Sequence, residues 1–173
     1  MNAEGVINVG KKRMTVTGKA WMDHEFGSMS LIGKEIGWDW FSVQFDNNTE
    51  LMIYLIRSGG KVIPRSGGTH VAADGTVRRL KLEDFTTEVT ANWTSPKTGA
   101  TYPAGWKIKV IPLDITIKLE PVMNEQELRL KPVTYWEGAV RVTGIIKTEA
   151  ATGRGYVELV GYDKKSSFNK IAP

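Results

Sequence analysis

Trp38-Asp39-Trp40-Phe41-Ser42-Val43-Gln44-Phe45 changes side-chain character with a period of two. Successive side chains of an extended chain point to opposite faces, so Trp38, Trp40, Ser42 and Gln44 share one side and Asp39, Phe41, Val43 and Phe45 the other. Bulky groups on both sides suit a strand covered on both faces. Asp46-Asn47-Asn48 comes next, residue types that tolerate the left-handed backbone of a tight connection. Glu50 to Arg57 then returns as a second apolar run, and the pair reads as a β-hairpin.

The same period extends outward in both directions. Ser58-Gly59-Gly60 and Pro64 to Gly68 are punctuation, and Thr69 to Ala73 predicts a short strand closed by an Asp74-Gly75 turn. Phe85, Thr87, Val89, Ala91 and Trp93 alternate with polar residues, and Ser95 to Pro103 reads as a loop. Trp106, Ile108 and Val110, then Leu113, Ile115, Ile117 and Leu119, alternate with charged or polar neighbours as half-buried strands do. Asn124 to Leu130 suits a helical turn. Tyr135 to Lys147 is a long strand, and Gly153-Arg154-Gly155 leads into a last one, Tyr156 to Gly161. Arg154 between two glycines reads as a solvated turn residue rather than an anion ligand.

About nine or ten strands without an alternating helical pattern predict an all-β fold. Closing so long an antiparallel sheet into a barrel hides its edges, and 18 glycines suit strands that bend sharply. Residues 14–162 would form this barrel, 1–13 an extension or first strand, and 163–173 a polar tail. A barrel of this size has room for one small ligand.

The chain has 173 residues, enough for one substantial core. Its 23 basic and 19 acidic residues leave a charge of only +4, and Lys11-Lys12-Arg13, Arg78-Arg79 and Lys164-Lys165 are too short to mark a nucleic-acid footprint. Without cysteine there are no disulfides or thiolate sites, and His24 and His70 belong to no spaced metal motif, so neither metal nor cofactor is expected. No apolar run approaches the roughly 20 residues of a membrane span, and the N-terminus lacks the basic-then-apolar pattern of a secretory signal. The compartment stays open.

Chemistry gathers in Trp21-Met22-Asp23-His24-Glu25-Phe26-Gly27-Ser28. In an extended segment Trp21, Asp23 and Glu25 face one way and Met22, His24 and Phe26 the other. Two carboxylates beside an indole favour a carboxyl that keeps its proton, the requirement for a general acid. Of the six tryptophans most belong to a core. Trp21 and Trp136, each next to a carboxylate, are the first choices for lining a cavity, with Trp38, Trp40, Tyr54 and Tyr135 as further wall positions. Glu137, next to Trp136 on a strand, must point away from it and could be a surface charge, and Asp39 is either a buried, hydrogen-bonded carboxylate that fixes the hairpin or a second acid in the cavity.

The string Gly18 to Ser28, then Gly37 to Phe45 and Glu50 to Tyr54, resembles the AttH/CrtC-like lipocalin family, which contains carotenoid 1,2-hydratases. The similarity continues through Ser95 to Gly99, Tyr102-Pro103, Trp106, Tyr135 to Val140 and Gly153 to Leu159, covering about residues 14–162. It implies a lipocalin-like β-barrel corresponding to the C-terminal portion of members that carry two barrels in tandem.

By that resemblance the chain is a cofactor-independent hydratase- or cyclase-like enzyme for an apolar isoprenoid or polyene held inside the barrel. Asp23 would protonate carbon, Trp21 would stabilise the cation, Glu25 or Glu137 would orient water, and His24 would hold or shuttle the proton. Two other readings stay open: a non-catalytic carrier of a lipophilic molecule, and one half of a two-barrel assembly completed by a second lipocalin-like domain or a second copy of the chain.

Overall fold

The computed structural model describes residues 1–23, 36–130 and 133–164. The chain divides into two compact units, Met1–Ser30 and Leu31–Pro173. The first contains β1 (Asn2–Val9) and β2 (Lys12–Lys19), an antiparallel hairpin turning at Gly10, whose φ of +59° only glycine adopts without strain. Strand β1 lies within the stretch 1–13, and Lys12–Lys19 pairs with it in a sheet of its own.

The second unit is an eleven-stranded antiparallel sheet. Its strands are β3 (Ile36–Phe45), β4 (Glu50–Ser58), β5 (Lys61–Val62), β6 (Gly67–Val71), β7 (Val77–Lys81), β8 (Phe85–Thr94), β9 (Thr101–Val110), β10 (Ile115–Pro121), β11 (Glu127–Leu130), β12 (Val133–Ile146) and β13 (Glu149–Val160). The expected all-β antiparallel class is what the chain adopts. Hydrogen bonds run in the order β7-β6-β4-β3-β13-β12-β10-β9-β8, with β5 on β4 and β11 on β12.

That path begins at β7 and ends at β8, which are consecutive in the chain and joined only by a 3-10 turn, Leu82–Asp84. Laid flat, the nine strands would put their outermost members about 38 Å apart at about 4.8 Å per step. Lys81 and Phe85, four residues apart, span at most about 14 Å. The sheet therefore curls until its ends meet at this turn, although no ladder joins β7 to β8 among the described pairings.

Alternation then sorts side chains into inside and outside. Phe41, Val43 and Phe45 of β3, Leu51, Ile53 and Leu55 of β4, and Val157 and Leu159 of β13 all point inward and are buried. Phe41 meets Trp106 of β9 edge-to-face at 5.6 Å between ring centroids, and Trp106 lies 6.3 Å from Trp136 of β12. Strands β3 and β9 are four steps apart along the sheet, so these rings touch across the interior. Among the described residues these three rings occupy the middle of that interior. Burying each large apolar side chain is worth about 1.5–3 kcal/mol, so this packing is the main source of stability.

Several local expectations change. Glu127–Leu130 is a strand paired to Val133–Trp136, where a helical turn was expected. Thr101 to Pro103 belongs to β9, with Pro103 opposite Asn92 at a β-bulge, where the missing N–H costs no ladder bond. The same bulge interrupts the alternation expected from Phe85 to Trp93. The last strand starts at Glu149, so Gly153-Arg154-Gly155 lies inside it. A Cβ at Gly153 would sit 2.5 Å from the Gln44 carbonyl oxygen, and one at Gly155 2.5 Å from that of Ser42. The glycines are there because β13 coils tightly against β3.

Candidate functional site

At the end of β2 the Trp21 indole N–H donates to Asp23 Oδ1 at 2.9 Å, and Asp23 is exposed. His24 and Glu25 lie outside the described residues.

The other expected residues divide between the two faces of the sheet. Trp136 is 1 % exposed, and its N–H donates to the Asn124 carbonyl at 2.7 Å. It belongs to the core and lines no cavity among the described residues. Trp38, Trp40, Tyr54 and Glu137 all have the opposite parity and come together, half-buried, on the outer face of β12, β13, β3 and β4.

Register builds this face row by row. Tyr135 stands opposite Val160, which stands opposite Trp38. In the next row Glu137 is opposite Glu158, Glu158 opposite Trp40, and Trp40 opposite Tyr54. The row after that holds Ala139, Tyr156, Ser42 and Met52. Two carboxylates directly across a strand pair repel, an arrangement that costs stability unless something near them offsets it. The Trp38 N–H donates to Glu158 Oε1 at 3.0 Å.

Burial first, and then the Glu137 and Glu158 charges, push the Tyr135 phenol above its ordinary pKa. Burial again comes first for Tyr156, followed by Glu137, Tyr135 and Glu158, and the direction is the same. Both phenols keep their protons at neutral pH. Tyr156 is 40 % exposed, so this corner is open to solvent. Sequence reasoning does not single out Tyr156 or Glu158. Their signal is the period-two continuation of β13 through its glycines, which sets them on the Arg154 side of the strand.

A second polar group lies at one end of the interior. Asp39, 7 % exposed, accepts from Arg57 Nη2 at 3.0 Å and from the Tyr162 hydroxyl at 2.9 Å, and Arg57 also donates to the Val160 carbonyl at 2.7 Å. The guanidinium carbon sits 4.3 Å from the centre of the Tyr162 ring. Burial raises the Asp39 pKa above the ordinary carboxylate value against the opposing pull of Arg57 and Tyr162. With its oxygens engaged by two residues, Asp39 is the structural carboxylate of the two alternatives. Arg57 Nε and Trp106 Nε1 are buried without acceptors among the described residues.

An open cleft of about 630 Å³ lies elsewhere, lined by Trp93, Lys97, Met123, Asn124, Glu125 and Glu127, and contains none of the expected residues. Glu127 there accepts from Ser95, Thr98 and Tyr102. Among the described residues no three His, Cys, Asp or Glu side chains are grouped so as to hold a metal.

Comparison with known proteins agrees with this architecture. A crystal structure of an AttH candidate from Nitrosomonas europaea superposes with a TM-score of 0.82 at 32 % identity, over 94 % of this chain and 50 % of that one. Kievitone hydratase from Nectria haematococca shares the fold, with a TM-score of 0.74 at 23 % identity over 91 % of this chain and 49 % of that one. The chain thus spans about half the length of either protein. No curated protein matches. The AttH-like family model matches residues 1–162, taking in residues 1–13 that the sequence motifs alone left out, and with it this chain belongs to the AttH-like family.

Proposed function

We propose that this chain is a cofactor-independent, hydratase-like lyase or isomerase acting on an apolar isoprenoid or polyene molecule laid against the outer face of β12, β13, β3 and β4. The observation that carries the reading is the Glu137–Glu158 pair set among Trp38, Trp40, Tyr54, Tyr135 and Tyr156. The kievitone hydratase likeness adds that the fold accommodates a hydratase.

In this reading a carboxyl of the pair adds its proton to one alkene carbon, the π electrons forming the new C–H bond. The cation left on the other carbon is stabilised by the faces of Trp40 and Tyr54. Water adds there and gives up a proton to the carboxylate, which restores the acid. Tyr135 and Tyr156 fix the carboxylates and donate to the incoming oxygen. This places the substrate on the outer face and not inside the barrel, a reading supported by the contacts of Phe41, Trp106 and Trp136 across the interior.

Asp23 remains the competing acid, with His24 and Glu25 beside it. Turnover of a polyene substrate by Asp23→Asn, Glu137→Gln and Glu158→Gln separates the two sites. Loss of either member of the outer pair is expected to lower kcat by about 10²–10⁴-fold, as removal of a general acid does, while Asp23→Asn keeps most of it. Collapse in Asp23→Asn alone returns the chemistry to the N-terminal motif.

A second reading has its own support: the chain spans half the length of its structural relatives, and its outer aromatic face is only half-buried. The chain would then act as one half of a two-domain site, completed by a second lipocalin-like domain or a second copy. Native mass spectrometry of the 19.2 kDa chain tests this, a dimer mass supporting self-association.

A further inference from the structure

Two rows beyond the acid pair, on the same outer face, Arg141 of β12 stands directly opposite Arg154 of β13. Both are exposed. Like charges in this relation destabilise a strand pair, and among the described residues neither guanidinium has an ion pair or hydrogen bond to offset it. The nearest candidates are engaged elsewhere or out of reach. Gln44, next to Arg154 in register, donates to Glu50 at 3.4 Å, and Glu120, opposite Arg141 on β10, makes no ion pair with it.

We infer that Arg141 and Arg154 form an anion subsite for the far end of the substrate, so that the molecule acted on is lipophilic and ends in an oxyanion. The inference rests on the outer face being the substrate surface. Four residues along each strand put the arginines about 13 Å from Glu137 and Glu158. The row between holds Ala139, Tyr156, Ser42 and Met52, a strip with two small residues, of which Ser42 is buried, and one aromatic edge suited to an extended hydrocarbon. Arginine presents planar, paired N–H donors that match an oxyanion, and two facing each other offer up to two such forks. A charged tail held there would bring an apolar chain across the strip with its opposite end at the carboxylates, whose like charge turns the anionic end away.

The test uses a conjugated tetraene fatty acid, whose fluorescence rises on leaving water, and its methyl ester, each titrated into the full chain. The acid is expected to bind about tenfold more tightly than the ester at low salt, as two charge-assisted contacts at an exposed site allow, with the ratio shrinking as salt is added. In the double variant Arg141→Gln, Arg154→Gln the two affinities should become equal while that of the ester is unchanged. The corresponding double lysine variant should keep part of the preference. Thermal unfolding of the double glutamine variant should match or exceed that of the parent, since a like-charge pair is removed.

Equal binding of acid and ester by the parent overturns the inference, as does a preference that survives in the double glutamine variant or failure of both probes to bind. Equal binding leaves the acid–base reading intact with a neutral substrate. Loss of turnover in Glu137→Gln tests that reading separately.

Discussion

Asp39 shows how much one side chain decides here. Its carboxylate receives Arg57 and Tyr162 at the end of the interior, so Asp39→Ala leaves a largely buried cation without its partner. The expected cost is about 3 kcal/mol in denaturant unfolding, typical of breaking rather than replacing a buried pair. Because burial raises this pKa, the folded state binds the proton more readily than the unfolded chain does. Stability contributed through Asp39 therefore falls as pH rises from the ordinary aspartate range through the raised value, and recovers as pH is lowered. The difference in Tm between the parent and Asp39→Asn, followed against pH, should shift in the parent's favour toward acid. Sequence alone offers two roles for Asp39 and cannot choose, since a period of two says which residues share a face and not which face is inside. For the same reason Trp38, Trp40, Tyr54 and Glu137 are legible as a set with chemistry, while their place on the outer wall is not. Phe41, Val43 and Phe45 take the interior because they hide no polar atom, whereas Trp38 turns its N–H to Glu158 outside.

Strand β13 carries the comparable lesson for elements. The hairpin of β3 and β4 is readable from alternation and an Asp-Asn-Asn turn, and the length of β12 from its Val, Ile and Thr content. Strand β13 looks shorter in sequence than it is because glycines usually mark ends, yet Gly153 and Gly155 lie where β3 carbonyls leave no space for a Cβ. Gly155→Ala is expected to cost about 1–3 kcal/mol, the range for forcing atoms into a packed site, whereas Gly18→Ala in β2, with nothing within 4 Å of the added carbon, should be neutral or slightly stabilising. Chemical denaturation of the two variants side by side checks this. Strand β11 is hidden for a different reason: Asn124 to Leu130 has no β-branched residue, and only pairing with Val133 to Trp136 makes Glu127 to Leu130 a strand. Pairing across the sheet also brings Glu158 against Glu137, and no local pattern in either strand announces that meeting.

For the whole molecule the all-β architecture is evident from strand count, and the resemblance supplies the family, but the way the sheet ends is hidden. Strands β7 and β8 meet through Leu82–Asp84 without a ladder between them among the described pairings. Their outward-facing backbone groups are shielded partly by Arg78, Arg79 and Lys81 on β7 and by the bulge in β8, devices that discourage pairing with another chain. The two margins of the sheet are brought together by this turn and not by pairing. Amide hydrogen exchange should be fastest along the unzipped margins of β7 and β8 and slowest in β3, β13 and β12, which have neighbours on both sides. The three-residue clasp is then the fastener of the sheet's two margins: severing it while leaving every strand intact would let them part, and opening would start there, at a point well away in strand order from the carboxylates on β12 and β13.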